Sequence, residues 1–449
     1  MDSPVAMDSP IADARAAHRW LAAHGWVTNR AEHFRVLPPP PGEVWLDSPG
    51  AGPSGPSDDT AVSTPGDGDA GWAVQRLDED PRVALDVEVL DALDPLQRAR
   101  LLAGLPTPGV GADGREDDAA PFAWAHRALC REGLKLKVGP SASDGAGSPS
   151  LALRLHHRAR GLVEAPLLVI EVAAGVQCRL LETHAFGHMA DPESVVQNLQ
   201  VHVRLEEGAS LQYVRHVAPR SADRIAHHLQ VRVGREARFE LATIATGSRY
   251  QLHRQQIGLL APGAMGRSAG LILCDGTSLD QQFRVDHLAP DTTSDVEALA
   301  LGSGAALGVL DAYTRIAPDG ARANARQRLT GIPTAGRPRF VMRPHLEILH
   351  DQVQAVHGAT WGSLPEDAIF YARQRGLDGR AARGLIIRGM ADALMRRAIT
   401  DAAAFDLLGI DALLQSAVSG HLARKEASGP DHEEPAPGRH PEAGRGEAS

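Results

Sequence analysis

The feature that most constrains this chain is a change of period near residue 150. Before it, apolar residues recur at helical spacing; after it, they recur every second residue over roughly 200 positions. In the stretch NLQVHVRL, Leu199, Val201, Val203 and Leu205 alternate with Gln200, His202 and Arg204. The stretch HLQVRVG repeats the pattern with Leu229, Val231 and Val233. Such alternation sends one face of a strand into a core and the other outward. Between strands a glycine with small neighbours recurs at 175, 208, 263, 304 and 320, at uneven intervals. Short strands, tight corners and no intervening helices leave two architectures, a sandwich and a parallel β-helix. Periodicity alone does not choose between them.

The flanks read differently. ADARAAHRWLAAHG predicts a helix stopped by Gly25, and helical patterning returns in LDVEVLDALDPLQRARLLAGL and in PFAWAHRALCREGL. Residues 48–71, rich in Gly, Pro, Ser and Asp, cannot bury a core and read as a flexible insertion. Past residue 358 the helical period resumes. Ser363 and Glu366 stand at capping-box spacing around Pro365. A second helix is expected from Asp378, with Leu385, Ile386, Met390 and Leu394 as its stripe, and a third after Thr400. Residues 421–449, charged and rich in Pro and Gly, read as a disordered tail. The expected division is 1–140 N-terminal helical region, 141–358 β core, 359–420 C-terminal helical domain and 421–449 tail.

Composition removes several function classes. The chain has 449 residues, more than one compact core holds, and a net charge of −10, which argues against nucleic acid or an anionic membrane as partner. Lys135, Lys137 and Lys425 are its only lysines, and no Gly-Lys pair precedes a Ser or Thr. A Walker A loop is therefore absent, and any ATP-driven step belongs to a partner. Cys130, Cys178 and Cys274 lie far apart, without the spacing of a zinc or four-thiolate site, and suit a reducing cytoplasm. The acidic start lacks the apolar stretch of a signal peptide, and no run nears the ~18 apolar residues of a membrane helix. The expected location is the cytoplasm.

Few residues suggest chemistry. His357, in VHGATWG, follows an apolar strand and precedes Gly358, where the chain is expected to turn out of the core. A lone histidine there is commonly a packed ring, and it is also a good borderline ligand for iron. Both readings stay open on spacing alone. His345 and Glu347 in PHLEILH share a strand face while His350 points away, which speaks against a three-ligand site. The cysteines read as small buried hydrophobes, and HHRARG at 156–161 as a solvated rim.

The stretch from Arg343 to Leu394 carries Pro-x-Leu-Glu-Ile, His-Gly-Ala-Thr, Phe-Tyr and Arg-Gly elements in order. Residues 286–327 add His287-x-x-Pro290 and Ser294-Asp295. These motifs resemble the SufB/SufD family of iron–sulfur cluster assembly scaffolds, most closely its SufD branch. The likeness runs over residues ~12 to 400 and is strongest after 280. It implies a mainly β fold, a right-handed parallel β-helix flanked by N-terminal and C-terminal helical segments. It implies a non-enzymatic scaffold that pairs with a SufB-like chain through the β-helix and binds a SufC-like ABC ATPase through the C-terminal helices. A homodimer in isolation is a further expectation. His357 falls on the family's His-Gly-Ala-Thr histidine, implicated as a ligand for iron or a nascent cluster at the subunit interface. Ala355 stands where relatives often carry cysteine, so partner thiolates would have to complete that shell.

Expected partner contacts on the helices are Phe370, Tyr371, Arg375, Arg383, Leu385 and Met390. No cofactor is expected to stay on this chain alone; a cluster would be transient and ATP would sit on the partner. The alternatives are a SufB-like cluster carrier, disfavoured because Cys274 is the last cysteine, and a β-helix carbohydrate-active enzyme, disfavoured by the lack of strand lysines.

Overall fold

The computed structural model describes residues 10–46, 70–142, 148–186 and 194–427. Its core is a β-solenoid of about seven turns, and this resolves the choice that periodicity left open. The first sheet holds β1 (Gly71–Arg76), β4 (Ser150–Arg158), β7 (Gln177–Ala185), β9 (Ser210–Val217), β11 (Arg238–Thr246), β13 (Met265–Asp275), β15 (Thr293–Ser303), β17 (Asn324–Pro333) and β19 (Gln354–Trp361). The second holds β2 (Val83–Asp91), β3 (Glu132–Pro140), β6 (Leu167–Val172), β8 (Val196–Leu205), β10 (Arg224–Val233), β12 (Tyr250–Leu259), β14 (Ser278–His287), β16 (Leu307–Ile316) and β18 (Arg339–Ile348), with short β5 (Val163–Glu164) beside β8. Odd strands thus go to one sheet and even ones to the other, except where β5 joins the second and the early strands depart from the pattern. From β6 and β7 onward every pairing is parallel; β1–β4 and β2–β3 are antiparallel.

Parallel register keeps one residue above another, so the lumen is filled by columns of stacked side chains. Leu241, Ser268, Val296, Gln327 and His357 form one such column, with neighbours 27 to 31 residues apart. That variable step is why the sequence shows no clean repeat. Inward apolar residues from both sheets, Leu211, Phe239, Val231 and Ile257 among them, make a continuous core. At one corner the position with positive φ recurs each turn, as Gly175, Gly208, Glu236, Gly263, Asp291 and Arg322. Gly320 has no positive φ. A Cβ there would meet Ile316 Cγ2 at 2.7 Å, so close packing is what requires its glycine.

The N-terminal region departs from the expected helices. Helix α1 (Pro10–His24) ends at Gly25, φ +80°, as read. LDVEVLD, however, is strand β2, followed by α2 (Pro95–Leu102). Helix α3 (Ala120–Leu129) gives way to β3, so residues 1–140 contribute three strands. Buried Asp13 ties the three helices together by accepting from Arg98 Nε at 2.9 Å and Arg127 Nε at 2.8 Å. Phe34, Trp45 and Phe122 pack on the outer face of the second sheet with Ala226, Tyr250 and Leu252. Of the expected 48–71 insertion, Gly71 opens β1, and residues 48–69 lie outside the described residues.

At the other end, α4 (Glu366–Gln374) starts behind Pro365 with no side-chain cap, so Ser363 and Glu366 do not form the expected box. Helix α5 (Gly379–Ala398) is capped by Asp378, whose Oδ1 accepts from Ala381 N at 2.7 Å. The expected third helix is two, α6 (Ala402–Leu408) and α7 (Ile410–Ala427), broken at left-handed Gly409. Helix α7 carries the chain through residues 421–427 of the expected tail, and 428–449 lie outside the described residues. Helices α5 to α7 lie on the outer face of the first sheet, where Ile387, Leu394, Leu408 and Leu414 join Ile244, Leu271 and Leu301 in a second core. No single described helix is long and apolar enough to cross a membrane.

Candidate functional site

Among the described residues, the helices cover the flanks of the solenoid and leave its last coil open. Strands β18 and β19 terminate their sheets, so each has one unpaired edge. Val356 is 65% exposed and Trp361 58%, and Ile348 and Leu349 are also exposed. An apolar, unpaired strand edge is a template for another chain's strand.

His357 sits in this edge. It does not stand at a strand end, because β19 runs on to Trp361. Gly358 is mid-strand with open space around it, so it is not the turn the sequence suggested. His357 lies in register above Gln327, whose buried amide donates to Thr314 Oγ1 at 2.7 Å inside the lumen. The histidine therefore belongs to the inward-facing column at the solenoid's mouth. It is exposed and has no hydrogen-bond or ion-pair partner among the described residues. Ala355, one step along the same face, packs towards Ile316 and Ala325.

No thiolate of this chain joins it. The three cysteines are buried, and burial pushes the Cys178 thiol up to about 12 and that of Cys130 to about 11. The last coil thus offers one imidazole and an open edge, which is part of a ligand set. His345 and Glu347 face outward instead. His345 stacks on Tyr313 at 5.9 Å, and Glu347 accepts a hydrogen bond from the same tyrosine's hydroxyl. His350 lies in the corner, where its Nδ1 accepts from Gln352 N at 3.0 Å. The three do not converge. The His287 motif is structural: its ring bridges Thr292 Oγ1 and Ser294 Oγ, both at 2.8 Å, and burial lowers its pKa to about 4.

The helical contacts separate by burial. Phe370, Tyr371 and Leu385 are 64%, 59% and 58% exposed, and Arg375 and Arg383 are exposed with them. Arg375 lies over the Tyr371 ring at 4.6 Å and donates to its hydroxyl at 2.5 Å. Met390 packs inward with the second core. An apolar–aromatic patch on α4 and α5 is consequently left uncovered by the described residues.

Sequence reasoning missed a polar cluster inside the lumen, near its N-terminal end. Glu182, His184, Arg215 and His227 meet there, with Glu182 and His184 side chains fully buried. Arg215 donates to Glu182 through Nη2 at 2.7 Å and Nε at 3.1 Å. Burial alone would raise the Glu182 pKa, but the adjacent Arg215 charge and then the His184 bond prevail and bring it to about 2. The signal was present: in HHLQVRV the phase of Leu229 and Val231 places His227 inside. HHRARG is likewise no solvated rim throughout, since His157 is buried and belongs to β4.

Comparison with known proteins finds that the profile of the SUF system FeS cluster assembly, SufBD core domain, matches residues 156–390, just over half the chain. Protein ABCI7, chloroplastic, of Arabidopsis thaliana is 25% identical over 170 residues, covering 37% of this chain and 36% of that protein. An iron-sulfur cluster assembly SufBD family protein of Mycobacterium bovis is 31% identical over 178 residues, 36% of this chain and 43% of that protein. One from Synechocystis is 36% identical over 72 residues, 16% of each. The matched stretches span less than half the length of each of these relatives.

Proposed function

This chain belongs to the SufBD family of iron–sulfur cluster assembly proteins, and from that premise we propose that it serves as the SufD-type scaffold subunit in the cytoplasm. It pairs through its last coil with a SufB-type chain and receives ATP-driven motion from an ABC-type ATPase docked on α4 and α5. The observation that carries this reading is the open coil, with an unpaired edge, exposed apolar side chains and a lone, inward-column imidazole at one place. A single histidine without a nearby thiolate suits half of a shared ligand set, the other half coming from the partner. The burial of all three cysteines supports the SufD over the SufB role. The exposed patch of Phe370, Tyr371 and Leu385 supports docking by the ATPase, since this chain has no Walker lysine of its own.

The test is His357→Ala, reconstituted anaerobically with a SufB-type chain and the ATPase. The side chain is exposed and unpartnered, so melting temperature and complex formation are expected to stay at wild-type values while cluster absorbance falls several-fold. His345→Ala and His350→Ala, which alter the outer face and the corner, are expected to leave assembly intact. Full cluster assembly by His357→Ala would remove the ligand role.

A further inference from the structure

A buried ion pair inside an aliphatic solenoid needs no imidazoles around it, because packed hydrophobic residues of similar volume serve stability at least as well. Here the pair between Glu182 and Arg215 is ringed by them. His184 lies 4.9 Å from His227 between ring centres, His227 lies 5.4 Å from His253, and His157 lies 5.7 Å from His184. Glu182, His184 and His227 each present one ligand atom, and these three atoms lie within 4.8 Å of one another. Two histidines and one carboxylate are a donor set suited to ferrous iron.

Outer contacts orient these ligands as a metal site requires. The His227 Nε2–H donates to Gln197 Oε1 at 2.6 Å, while the Gln197 amide nitrogen donates to Glu164 Oε1 at 2.5 Å. This assigns the ring's proton to Nε2 and turns the Nδ1 lone pair towards Arg215. Glu182 Oε2 is held by the Tyr213 hydroxyl and by Arg215 Nε, leaving Oε1 to His184 Nε2 at 2.5 Å and to Arg215 Nη2. Buried His184 Nδ1 has no hydrogen-bond partner.

Arg215 Nη2 stands 2.7 Å from Glu182 Oε1 and 3.3 Å from His227 Nδ1, between two of the three ligand atoms. A guanidinium nitrogen there is a cation in the place of an ion. We propose that Glu182, His184 and His227 form a divalent-metal site within the solenoid, suited to ferrous iron, with Arg215 holding its place when no ion is bound. An ion would displace Nη2, while Nε keeps Oε2, and His184 would ligate as the neutral ring with its single proton on the nitrogen turned away from the ion. The retained guanidinium repels the ion, which makes the site one for labile rather than permanent occupancy. The proposal stands on the donor chemistry and does not rest on the SufD role.

The experiment uses the full chain alone, tag-free and anaerobic, with Fe(II) measured by equilibrium dialysis and Co(II) by its visible ligand-field bands. Wild type is expected to take up one ion with nitrogen-containing coordination. Glu182→Gln and His227→Gln each weaken binding about tenfold or more. His350→Ala, which alters only the corner, leaves it unchanged, and Arg215→Met strengthens it. Far-UV circular dichroism confirms folding, and the wild-type titration decides the matter should a lumen variant not fold. Absence of ligand-field bands and of retained ion in wild type would overturn the site, as would unchanged binding in folded Glu182→Gln/His227→Gln. Because no partner chain is present, failure leaves the proposed assembly role standing.

Discussion

Asp280 is a carboxyl group cut off from the surface. It lies fully buried on the outer face of the second sheet, its Oδ2 accepting from Gln282 Nε2 at 2.8 Å and its Oδ1 without a partner. Burial, against the Gln282 bond and with Asp311 nearby, raises its pKa to about 8. The folded state therefore holds a proton that the unfolded chain releases near pH 4. Between about pH 4 and 8 the native form binds more protons, so this group makes stability fall as pH rises. Buried neutral histidines work the other way. Burial lowers His126 and His228 to about 3, so their contribution is present above pH ~6.5 and lost as pH falls. Comparing Asp280→Asn with wild type isolates the first effect. The variant's gain in melting temperature is expected to grow from pH 4 to 8 and then level off; a gain that does not vary with pH would contradict it. Such sites were not legible in DQQF, because alternation tells which face a residue takes and not what later covers that face. Here the cover is the N-terminal segment, whose His33 bonds Asp311 at 2.9 Å. His357 was legible as a candidate, but its placement mid-strand in the inward column emerged only from register.

Among the elements, the C-terminal helices divide into a buried and a free face. Ile387 is fully buried against the first sheet, and its truncation to alanine should cost about 2–5 kcal/mol. Phe370→Ala, by contrast, should stay within about 0.5 kcal/mol of wild type while weakening ATPase binding. Urea unfolding and a pull-down on the same preparations check both; a large stability loss in Phe370→Ala would mean that the ring is structural. Removing residues 365–420 outright would bare Ile244, Leu271 and Leu301, so point variants are the cleaner probe. These helices were readable because their caps and stripes are local, as with Asp378 and Leu394. The strand LDVEVLD was misread because Leu85, Val87 and Val89 are followed at once by a true helix. A run of mixed leucine, valine and aspartate satisfies both periods until its pairing with β3 is known.

Across the whole molecule, the solenoid makes stability local, since each coil rests only on its neighbours. Interior strands such as β10 to β15 are paired on both sides and sealed by helices or the N-terminal segment on their outer faces. Strand β19 has one partner, β17, and exposes nearly all its side chains. Hydrogen exchange of the isolated chain should therefore run slowest in β10–β15 and fastest, among the strands, in β19. Adding a SufB-type partner should slow exchange in β18 and β19 and leave the antiparallel edges β1 and β2 unchanged, because only the last coil combines a parallel edge with the exposed Val356 and Trp361. Val356→Lys supplies the control. A charge on an edge strand blocks pairing at little cost to the fold, so protection by the partner should vanish while the interior pattern persists. Protection that appears on β1 and β2, or that survives Val356→Lys, would move the interface away from the open coil and leave His357 without a partner to complete its ligands.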